Sequence, residues 1–548
     1  MEPPVFSKGL YRVFFVMLAL VGVAGLFVPL MDRDSAHHAD IALHMYLTGD
    51  YVSLVDHGKD YLDKPHLHFW LCALSYEVFG VNGFAYKFPS FLFSILACYS
   101  TFRLGKSLYT TETGRLAALL LASSFAFILA NNDVRMDAIL TACIIFSSWQ
   151  LVDFIKEKRM INMLLAAVGL ALGFAVKGHI GVLLPAAGTF FYLLFNKNLK
   201  ALLHWKWLLL VVLFAAFISP VVWCYYQQFN LHPEKVVRGK NNIDGVRFIL
   251  FGQSIERFQG HSFGAVNKKD HFFFLHTFLW AFAPWSIAAY MAVFNRLKKV
   301  KTGEWVTLSS FLFMLLVLSF AGYKLPHYLN VILPFAAIIT SSWLLMQRDN
   351  IKRTALLFKI QSAVAAILLA GIAVITVWIF PLEKAGVIIP LVLLLAFVFY
   401  FIKTKSLSAF QKMICMGVAV MILSFYILNT HFYPSLLRYQ GGKELADLTK
   451  GKVNPNSVYF WEETYSSSYN FYTKTIRKQF TDTILQPGKE VWLLYDSVDE
   501  RHINEAGYKY LAKYSVLDFP ITKLSLAFLN PASREKVYTK LVLARISR

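Results

Sequence analysis

Apolar runs of about 17 to 25 residues recur along this chain, and each is long enough as a helix to cross a hydrocarbon core of roughly 30 Å. Hydrophobic residues make up 57% of the 548 residues, and charged residues only 16%. That composition excludes an ordinary soluble protein. The sequence therefore predicts an all-α polytopic membrane domain with about thirteen transmembrane helices. The predicted spans are 10–31, 85–104, 114–130, 138–155, 161–176, 179–195, 205–226, 271–295, 304–321, 325–346, 354–380, 386–403 and 408–430.

The distribution of Lys and Arg indicates the orientation. The net charge of +21 comes from basic residues scattered among short connectors. They do not interleave with aromatic residues on one soluble face, as they would in a nucleic-acid-binding protein. Connectors rich in Lys and Arg alternate with connectors that hold roughly one each, and the rich ones are expected in the cytoplasm. This predicts a cytoplasmic N-terminus, and the odd number of spans places the C-terminus outside. Three long stretches then share the outer side: residues 32–84, 227–270 and 431–548.

We divide the chain into a transmembrane domain, residues 1–430, and a small soluble α/β domain on the outer side, residues 431–548. In the second, "SVYFW" and "EVWLLYD" are typical of strands, and "HINEAGYKYLAKY" has helical spacing. It has no recognisable catalytic motif, so a lid or a folding support is favoured over an independent active site. In the first outer stretch, "HADIALHMYLTG" and "HLHFWLCALSYEVFG" are too short to span and predict helices at the membrane interface.

Ionisable residues gather near the outer ends of the predicted spans, where charges that face a shared cavity are costly and tend to be functional. Asp34 follows the first span. Its carboxylate could accept a proton from a hydroxyl nucleophile, or it could cap the helix that follows. Lys64 precedes Pro65, a residue typical of a helix start. The Lys64 ammonium group fits an anion such as a lipid phosphate, with snorkelling to lipid headgroups as the alternative.

Further candidates lie on the same predicted side of the membrane. Asp137 begins the fourth span, and Lys177 lies in a tight reversal between the fifth and sixth. Lys324 and Tyr328 are four residues apart and share one helix face. The two lysines and the tyrosine suit phosphate or sugar binding, with headgroup anchoring as the alternative. Arg257 lies in the second long outer stretch.

Histidines in the first outer stretch raise the question of a metal. Nitrogen and oxygen ligands that suit zinc or manganese are carried by His37, His38, His44, His66 and His68 together with Asp63. Their spacing matches no recognised metal motif. Ordinary hydrogen-bonded histidines are therefore favoured, with a divalent metal at Asp63 as the alternative.

Six stretches taken together resemble the GT-C membrane glycosyltransferases, and among them the superfamily of bacterial 4-amino-4-deoxy-L-arabinose transferases and protein O-mannosyltransferases. Their order and spacing agree over roughly residues 1–350. The run from "DKP" through "FWL" and "ALSY" to "PS" in the second stretch is specific, whereas the single lysines are not. The stretches are "RDSAHHADIALHMYLTGDY", "YLDKPHLHFWLCALSYEVFGVNGFAYKFPS", "RMDAILT", "FAVKGHIGVLLP", "FLWAFAPWS" and "KLPHYLNVILP".

The resemblance implies transfer of a sugar from a polyprenyl (undecaprenyl) phosphate carrier to an acceptor on the periplasmic face of the bacterial cytoplasmic membrane. It also implies inversion at the anomeric carbon, without a nucleotide. Asp34 matches the acidic residue of the family's first loop, and Lys64 matches the lysine of its "KP" motif, which faces the donor phosphate. Asp63 and Asp137 match acidic positions that line the cavity, and Tyr328 matches a motif tyrosine.

Lys64 and Arg257 are then the first candidates to stabilise the leaving phosphate. Asp34 should act as general base for a hydroxyl acceptor, whereas an acceptor phosphate, as in lipid A modification, is already anionic. The acceptor is lipid A, another envelope glycan or a protein. The reaction requires no cofactor. His37 and His38 stand where the family usually carries other residues, so they are expected to tune acceptor choice.

Two other classes of protein remain as alternatives. A lipid-linked sugar transporter or flippase also needs an amphipathic cavity with charged groups, but it should show paired half-repeats or broken helices near the membrane midplane. Neither is apparent in the sequence. A non-catalytic scaffold would leave the outer cluster of ionisable residues without a role. The sequence therefore favours the glycosyltransferase.

Overall fold

The structure is a computed structural model that describes residues 3–31, 34–259, 270–298, 304–462, 464–486 and 488–548. At 257–259, 397–398 and 401–402 it describes the backbone only. Each predicted span coincides with helix in the described part, although several spans are made of two consecutive segments. The fold is therefore mostly helical, as the apolar periodicity predicts.

Seven helices in the described part of the chain are long and apolar enough to cross a membrane. The count of thirteen spans stays a prediction, because the other candidates are shorter, interrupted or less apolar. The seven are Lys8–Leu26, Asp137–Glu157, Met160–Lys177, Lys206–Asn230, Pro326–Gln347, Ile351–Ile379 and Ala409–Tyr439. The remaining helices at predicted spans are Gly83–Leu108, Thr111–Ala122, Phe125–Leu129, Ile180–Phe195, Phe273–Ala281, Ser286–Lys298, Val306–Phe320 and Ala385–Lys403.

The first helix ends at Leu26, five residues before the predicted end of the first span at Met31. Pro29 follows this helix end, and a proline disfavours helical backbone at the residue before it. The end is capped by the side chain of Lys87, which is fully buried and comes from helix Gly83–Leu108. Its ammonium group donates to the carbonyl oxygen of Gly25 at 3.1 Å and to that of Val28 at 2.7 Å. A cation is favourable at the carbonyl end of a helix, so these bonds fix the point from which the chain leaves toward Asp34.

The first outer stretch contains two helices and a small hairpin. The helix Asp34–Thr48, here named the loop helix, and the helix Leu67–Phe79 coincide with the two predicted interfacial segments. Between them, strands β1 (Val55–Asp56) and β2 (Lys59–Asp60) pair antiparallel. Two short helices of the second outer stretch, Gly245–Arg247 and Gln253–Gln259, follow later in the chain.

The C-terminal region contains a four-stranded mixed sheet in the order β3-β4-β6-β5. Strand β3 is parallel to β4, and β6 pairs antiparallel with β4 and β5. The strands are β3 (Val458–Phe460), β4 (Glu490–Asp496), β5 (Lys509–Asp518) and β6 (Thr539–Ser547). Its helices are Tyr433–Leu436, Gly441–Thr449, Ser467–Thr473, Glu500–Glu505, Leu526–Leu529 and Pro531–Arg534.

The prediction of a helix over 502–514 is wrong beyond Glu505. Gly507 adopts a φ of 77°, which ends the helix, because glycine enters the left-handed region without steric cost. The residues from Lys509 onward alternate between exposed and less exposed positions. That alternation also fits a strand, and pairing with β6 decides the outcome.

The C-terminal region packs against the first outer stretch. The Leu30 N–H donates to the hydroxyl oxygen of Tyr472 at 2.9 Å. The amide of Gln440 donates to the Leu30 carbonyl at 2.7 Å. These contacts tie the C-terminal region to the segment that immediately precedes the loop helix.

We expect Lys87→Met to destabilise the protein. The variant keeps most of the side-chain volume but leaves the Val28 carbonyl without its lysine donor, at a cost of about 1 to 3 kcal/mol. The Gly25 carbonyl keeps a backbone donor, the Val28 N–H at 3.3 Å. Thermal unfolding of the detergent-solubilised protein should show a lower Tm than that of Lys106→Met, which removes an exposed lysine from the same helix. Equal Tm values for the two variants would contradict the capping role.

Candidate active site

A cavity of about 790 Å³ lies between the first outer stretch, residues 236–239 and the ends of several membrane helices. Cavities of this size accommodate a substrate and carry a few convergent polar groups. The apolar lining includes Leu62, Met136, Val236 and Leu325. The charged and titratable lining residues are Asp34, His37, His38, Asp56, His57, Lys59, Asp60, Asp63, Lys64, Arg135, Asp137, Lys177, Arg238 and His327, with the tyrosines Tyr61, Tyr323 and Tyr328.

Asp34 begins the loop helix and lines the cavity. His37 and His38 lie three and four residues further along, so all three side chains share one helix face. The Asp34 carboxylate is paired with the guanidinium group of Arg135, which also donates to Asp133 at 2.9 Å. The Asp34 side chain is 47% exposed, so the paired carboxylate remains accessible from the cavity.

Lys64 and Asp63 form a second ion pair at the cavity wall. Arg238 of the second outer stretch approaches the Asp63 carboxylate at 3.9 Å. The backbone here is held by Tyr225, whose hydroxyl donates to the Lys64 carbonyl at 3.1 Å, and by Gln253, whose amide donates to the Asp63 carbonyl. Arg238 also pairs with Glu256 at 2.8 Å. Lys64 and Arg238 are thus cations held in place by carboxylates, and both carry N–H donors that suit an anion.

Lys177 and Asp137 form a third pair, with 2.8 Å between the ammonium nitrogen and a carboxylate oxygen. The other oxygen of Asp137 lies 3.8 Å from His327 Nε2. The Lys177 ammonium nitrogen lies 4.7 Å from the ring centroid of Tyr328, a cation–π distance. The tight turn after Lys177 depends on Gly178, which has a φ of 70° and whose added Cβ would lie 2.6 Å from Gln253.

The structure brings most of the predicted site residues together. Asp34, His37, His38, Asp63, Lys64, Asp137, Lys177 and Tyr328 all line the cavity. Lys324 is 3% exposed and is not among the lining residues of the cavity as described. Arg257 belongs to helix Gln253–Gln259, and its side chain lies outside the described part of the structure. The roles of these residues stay predictions.

The metal alternative fits the geometry poorly. Within the described residues, no group of three or more His, Cys, Asp or Glu side chains is arranged to hold a metal ion. Asp63, the predicted ligand, faces Lys64 and Arg238 instead. Two neighbouring cations would repel a divalent metal. We therefore derive no step through a metal.

The hairpin β1–β2 supplies a polar wall of the cavity that sequence reasoning missed. Asp56 lies between two imidazoles, 2.9 Å from His37 Nε2 and 3.3 Å from His57 Nε2. Burial lowers the pKa of His37, but the hydrogen bond and charge of Asp56 outweigh it, so the net pKa is raised. Burial and the nearby charge of His37 hold the pKa of His38 well below its usual value. His37 is thus the more basic of the two.

Asp40, a residue of the loop helix, connects this helix to the C-terminal region. It is 4% exposed and accepts hydrogen bonds from the Tyr465 hydroxyl at 2.6 Å and from the Asn470 amide at 3.2 Å. Asn470 in turn accepts from the buried Arg477 at 2.6 Å. Burial raises the pKa of Asp40 to about 7, although the two hydrogen bonds oppose that shift.

Sequence reasoning also missed Arg135 as the partner of Asp34, and it missed Arg238 and His327 as lining residues. Arg135 lies 101 residues from Asp34 in the chain, and its own neighbourhood suggests only a helix end. One signal was available for His327, which lies between the predicted Lys324 and Tyr328. No local pattern distinguishes Arg238 from other basic residues in its stretch.

Comparison with known proteins shows which families this chain is similar to. The profile of the dolichyl-phosphate-mannose-protein mannosyltransferase family matches residues 63–223. The undecaprenyl phosphate-alpha-4-amino-4-deoxy-L-arabinose arabinosyl transferase of Pseudomonas aeruginosa strain UCBPP-PA14 is 26% identical over 324 residues, which are 58% of this chain and 55% of that protein. The chain thus aligns with little more than half the length of that relative.

Over part of its length, the chain is therefore similar to the dolichyl-phosphate-mannose-protein mannosyltransferase family and to bacterial arabinosyl transferases. An uncharacterised protein of Aquifex aeolicus strain VF5 is 26% identical over 381 residues, covering 69% of this chain and 70% of that protein. The fold of the present chain resembles the crystal structure of ArnT from Cupriavidus metallidurans bound to undecaprenyl phosphate, with a TM-score of 0.75, 15% identity and 98% of each chain covered. The likeness in fold therefore includes the C-terminal region, beyond the part matched by the mannosyltransferase profile.

The raised pKa of Asp40 predicts a pH-dependent contribution to stability. An aspartate in an unfolded chain has a pKa of about 3.9, so the folded protein holds the additional proton between about pH 4 and about pH 7, and that stabilisation is lost as the pH rises through this range. Asp40→Asn cannot titrate. We therefore expect the Tm of the variant, measured relative to the wild type, to rise between about pH 4 and about pH 7 and then level off.

The control for this measurement is Asp447→Asn, because the Asp447 side chain is 59% exposed. Its Tm difference from the wild type should stay nearly constant over the same range. A constant difference for Asp40→Asn as well would contradict the raised pKa. Differences from the wild type are used because they largely cancel the titration of groups that lie far from Asp40.

Proposed function

We propose that this glycosyltransferase transfers a sugar from a polyprenyl-phosphate carrier to an acceptor at the periplasmic face of the cytoplasmic membrane, with inversion at the anomeric carbon. The observation that carries the proposal is one cavity that contains the accessible carboxylate of Asp34 together with the cations Lys64, Arg238 and Lys177. The names of the aligned arabinosyl and mannosyl transferases, which specify undecaprenyl and dolichyl phosphate, support the class of donor.

The donor phosphate is proposed to bind near Lys64 and Arg238. A polyprenyl phosphate gains negative charge on its bridging oxygen as the bond to the sugar breaks, and cations fixed in advance stabilise that charge without reorganisation. Lys64 is 14% exposed and Arg238 is 24% exposed at the side chain. Both are shielded enough from solvent for their charges to act strongly. Lys177 and Tyr328 lie on the same cavity and extend this polar surface.

Asp34 is proposed to receive the proton of a hydroxyl acceptor. Its pairing with Arg135 fixes the direction of the carboxylate, which a general base requires before its basicity matters. With inversion, the acceptor oxygen attacks the anomeric carbon from the side opposite the departing phosphate. The base and the phosphate-binding cations must therefore face the sugar from opposite sides. Asp34 of the loop helix and Lys64 after the hairpin lie on different elements of the cavity wall, which is compatible with that requirement.

The side of the membrane on which the cavity lies is proposed from the distribution of Lys and Arg along the sequence. The cavity is built from residues of the first and second predicted outer stretches and from span ends of the same parity. The C-terminal region contacts the same stretches. A periplasmic active site is the assignment that agrees with basic connectors on the cytoplasmic side.

Asp34→Asn tests the base. We expect the amount of glycosylated product to fall by at least about 100-fold, because a positioned general base contributes roughly 10² to 10⁴ in rate. The product is first identified by mass spectrometry of lipid A, glycans and envelope proteins from cells with and without the protein. Membranes of those cells then serve for the assay with a polyprenyl-phosphate sugar. Binding of undecaprenyl phosphate to the variant should remain.

Asp244→Asn is the matched control, because Asp244 caps a short helix of the second outer stretch and asparagine caps equally well. Full transfer activity of Asp34→Asn, with a normal expression level, would contradict the base assignment. An unchanged envelope in cells lacking the protein, together with no product from the supplied donor, would contradict the proposed function itself.

Lys64→Ala tests the phosphate site. We expect the Kd for undecaprenyl phosphate to rise at least about tenfold, since a charge-assisted hydrogen bond contributes roughly 1.5 to 3 kcal/mol. Lys509→Ala, which removes an exposed lysine from strand β5, should leave this Kd unchanged. The measurement uses the full-length protein in nanodiscs at fixed ionic strength. Equal Kd values for both variants would exclude Lys64 from the phosphate site.

A further inference from the structure

The hairpin β1–β2 holds an imidazole in a strained backbone position. Its two-residue turn is His57-Gly58, with φ values of 51° and 73°. Both residues lie in the left-handed region, as in the type I′ turn, for which asparagine followed by glycine is the preferred pair. A histidine at the first position is less favourable. Such strain persists where the surroundings hold it, and it occurs often at functional sites.

The surroundings hold the hairpin from two directions. On one side, Gln228 of the second outer stretch exchanges hydrogen bonds with the backbone of Leu54 at 3.0 and 2.8 Å and donates to Asp60 at 2.9 Å. On the other side, the ring of Tyr465 lies against His57, with 3.6 Å between the centroids. The C-terminal region therefore touches a residue that lines the cavity.

Tyr465 reaches the loop helix as well. Its hydroxyl donates to Asp40 at 2.6 Å, and Asp40 lies three residues after His37 on the loop helix, close to the same face. One side chain thus contacts both elements that carry the polar wall, namely the hairpin with Asp56 and His57 and the loop helix with His37. Loss of Tyr465 would free both elements at once.

The wall differs in charge from the phosphate side of the cavity. Asp56 lies between His37 and His57, and burial lowers the pKa of His57, which keeps that imidazole mostly neutral. Asp34 is already paired with Arg135, so the carboxylate that a phosphate would meet here is that of Asp56, and like charges repel. An uncharged hydroxyl can both donate to a carboxylate oxygen or an imidazole nitrogen and accept from an imidazole N–H.

We propose that His37, Asp56 and His57 form the acceptor-binding wall of this glycosyltransferase, that the wall takes an uncharged hydroxyl, and that Tyr465 is the positioning residue by which the C-terminal region holds it. The inference rests on the proposed glycosyl transfer. It assigns the C-terminal region a direct influence on acceptor binding. It also separates the acceptor side, built on the hairpin, from the donor side, built on Lys64 and Arg238.

The test uses the full-length protein in nanodiscs with two readouts. An envelope extract from cells lacking the protein, added at increasing concentration, supplies the acceptor, and its half-saturating concentration is measured for transfer. The Kd for undecaprenyl phosphate reports the donor side. His57→Asn keeps a favourable turn but removes the imidazole. Tyr465→Ala removes the ring contact and the bond to Asp40, whereas Tyr465→Phe removes only the bond.

We expect His57→Asn and Tyr465→Ala to raise the half-saturating extract concentration at least about tenfold, an effect of roughly 1.4 kcal/mol, with the Kd for undecaprenyl phosphate unchanged. Tyr465→Phe should give a smaller increase. Tyr514→Ala, which removes a partly buried tyrosine of strand β5 stacked on Trp492, is the control for general destabilisation of the C-terminal region. It should leave both quantities unchanged.

Two results would contradict the proposed acceptor-binding wall. One is a wild-type response of both His57→Asn and Tyr465→Ala to the extract. The other is an equal rise in the Kd for undecaprenyl phosphate, which would place these residues on the donor side. Release of the transferred sugar by mild acid, as from a glycosyl phosphate, would overturn the hydroxyl assignment. If the wild type forms no product, both the proposed function and the acceptor-binding wall are contradicted. If the wild type forms product and the variants respond to the extract as the wild type does, only the wall is contradicted.

Discussion

Pairing of opposite charges at the membrane edge is the constraint on which the active site depends. Asp34, Asp63 and Asp137 each lie against a cation, namely Arg135, Lys64 and Lys177. Unpaired charges in such a place would be costly. A donor phosphate that binds as proposed would therefore meet cations that are already paired with carboxylates. It must share cations that are already held in position by carboxylates, which costs some affinity but leaves little reorganisation for the reaction itself.

The cavity also depends on anchors that lie outside it. Most of its lining belongs to the first outer stretch, whose helices are too short to be stable alone. Lys87 fixes the chain as it leaves the first membrane helix, Gln228 fixes the hairpin from the second outer stretch, and Tyr465 fixes it from the C-terminal region. Three parts of the chain that are distant in sequence therefore determine where Asp34, His37 and Asp56 lie.

The sequence predicts what depends on local pattern. Apolar runs predict the helices, and a resemblance in short motifs predicts Asp34, Lys64, Asp137 and Tyr328, all of which lie on the cavity. Partners brought in by tertiary packing escape such reasoning. Arg135 becomes the partner of Asp34 only because two helix ends meet. The tail residues 509–514 were predicted helical because their apolar spacing fits both periods, and only pairing with β6 selects the strand.

The two adjacent histidines of the loop helix, His37 and His38, differ in their contacts and in their charge. His37 and His38 are adjacent in sequence and their rings lie 5.5 Å apart, yet only His37 reaches a carboxylate, Asp56. Burial keeps His38 neutral, so it adds polar surface without charge. The net charge of the wall thus depends on His37 and Asp56 together, and a fold that supplies Asp56 from a hairpin can alter acceptor binding without moving Asp34. Because the same hairpin is held from the C-terminal region, the proposed acceptor wall would let that region influence acceptor choice, although its described residues include none of the charged residues that line the cavity.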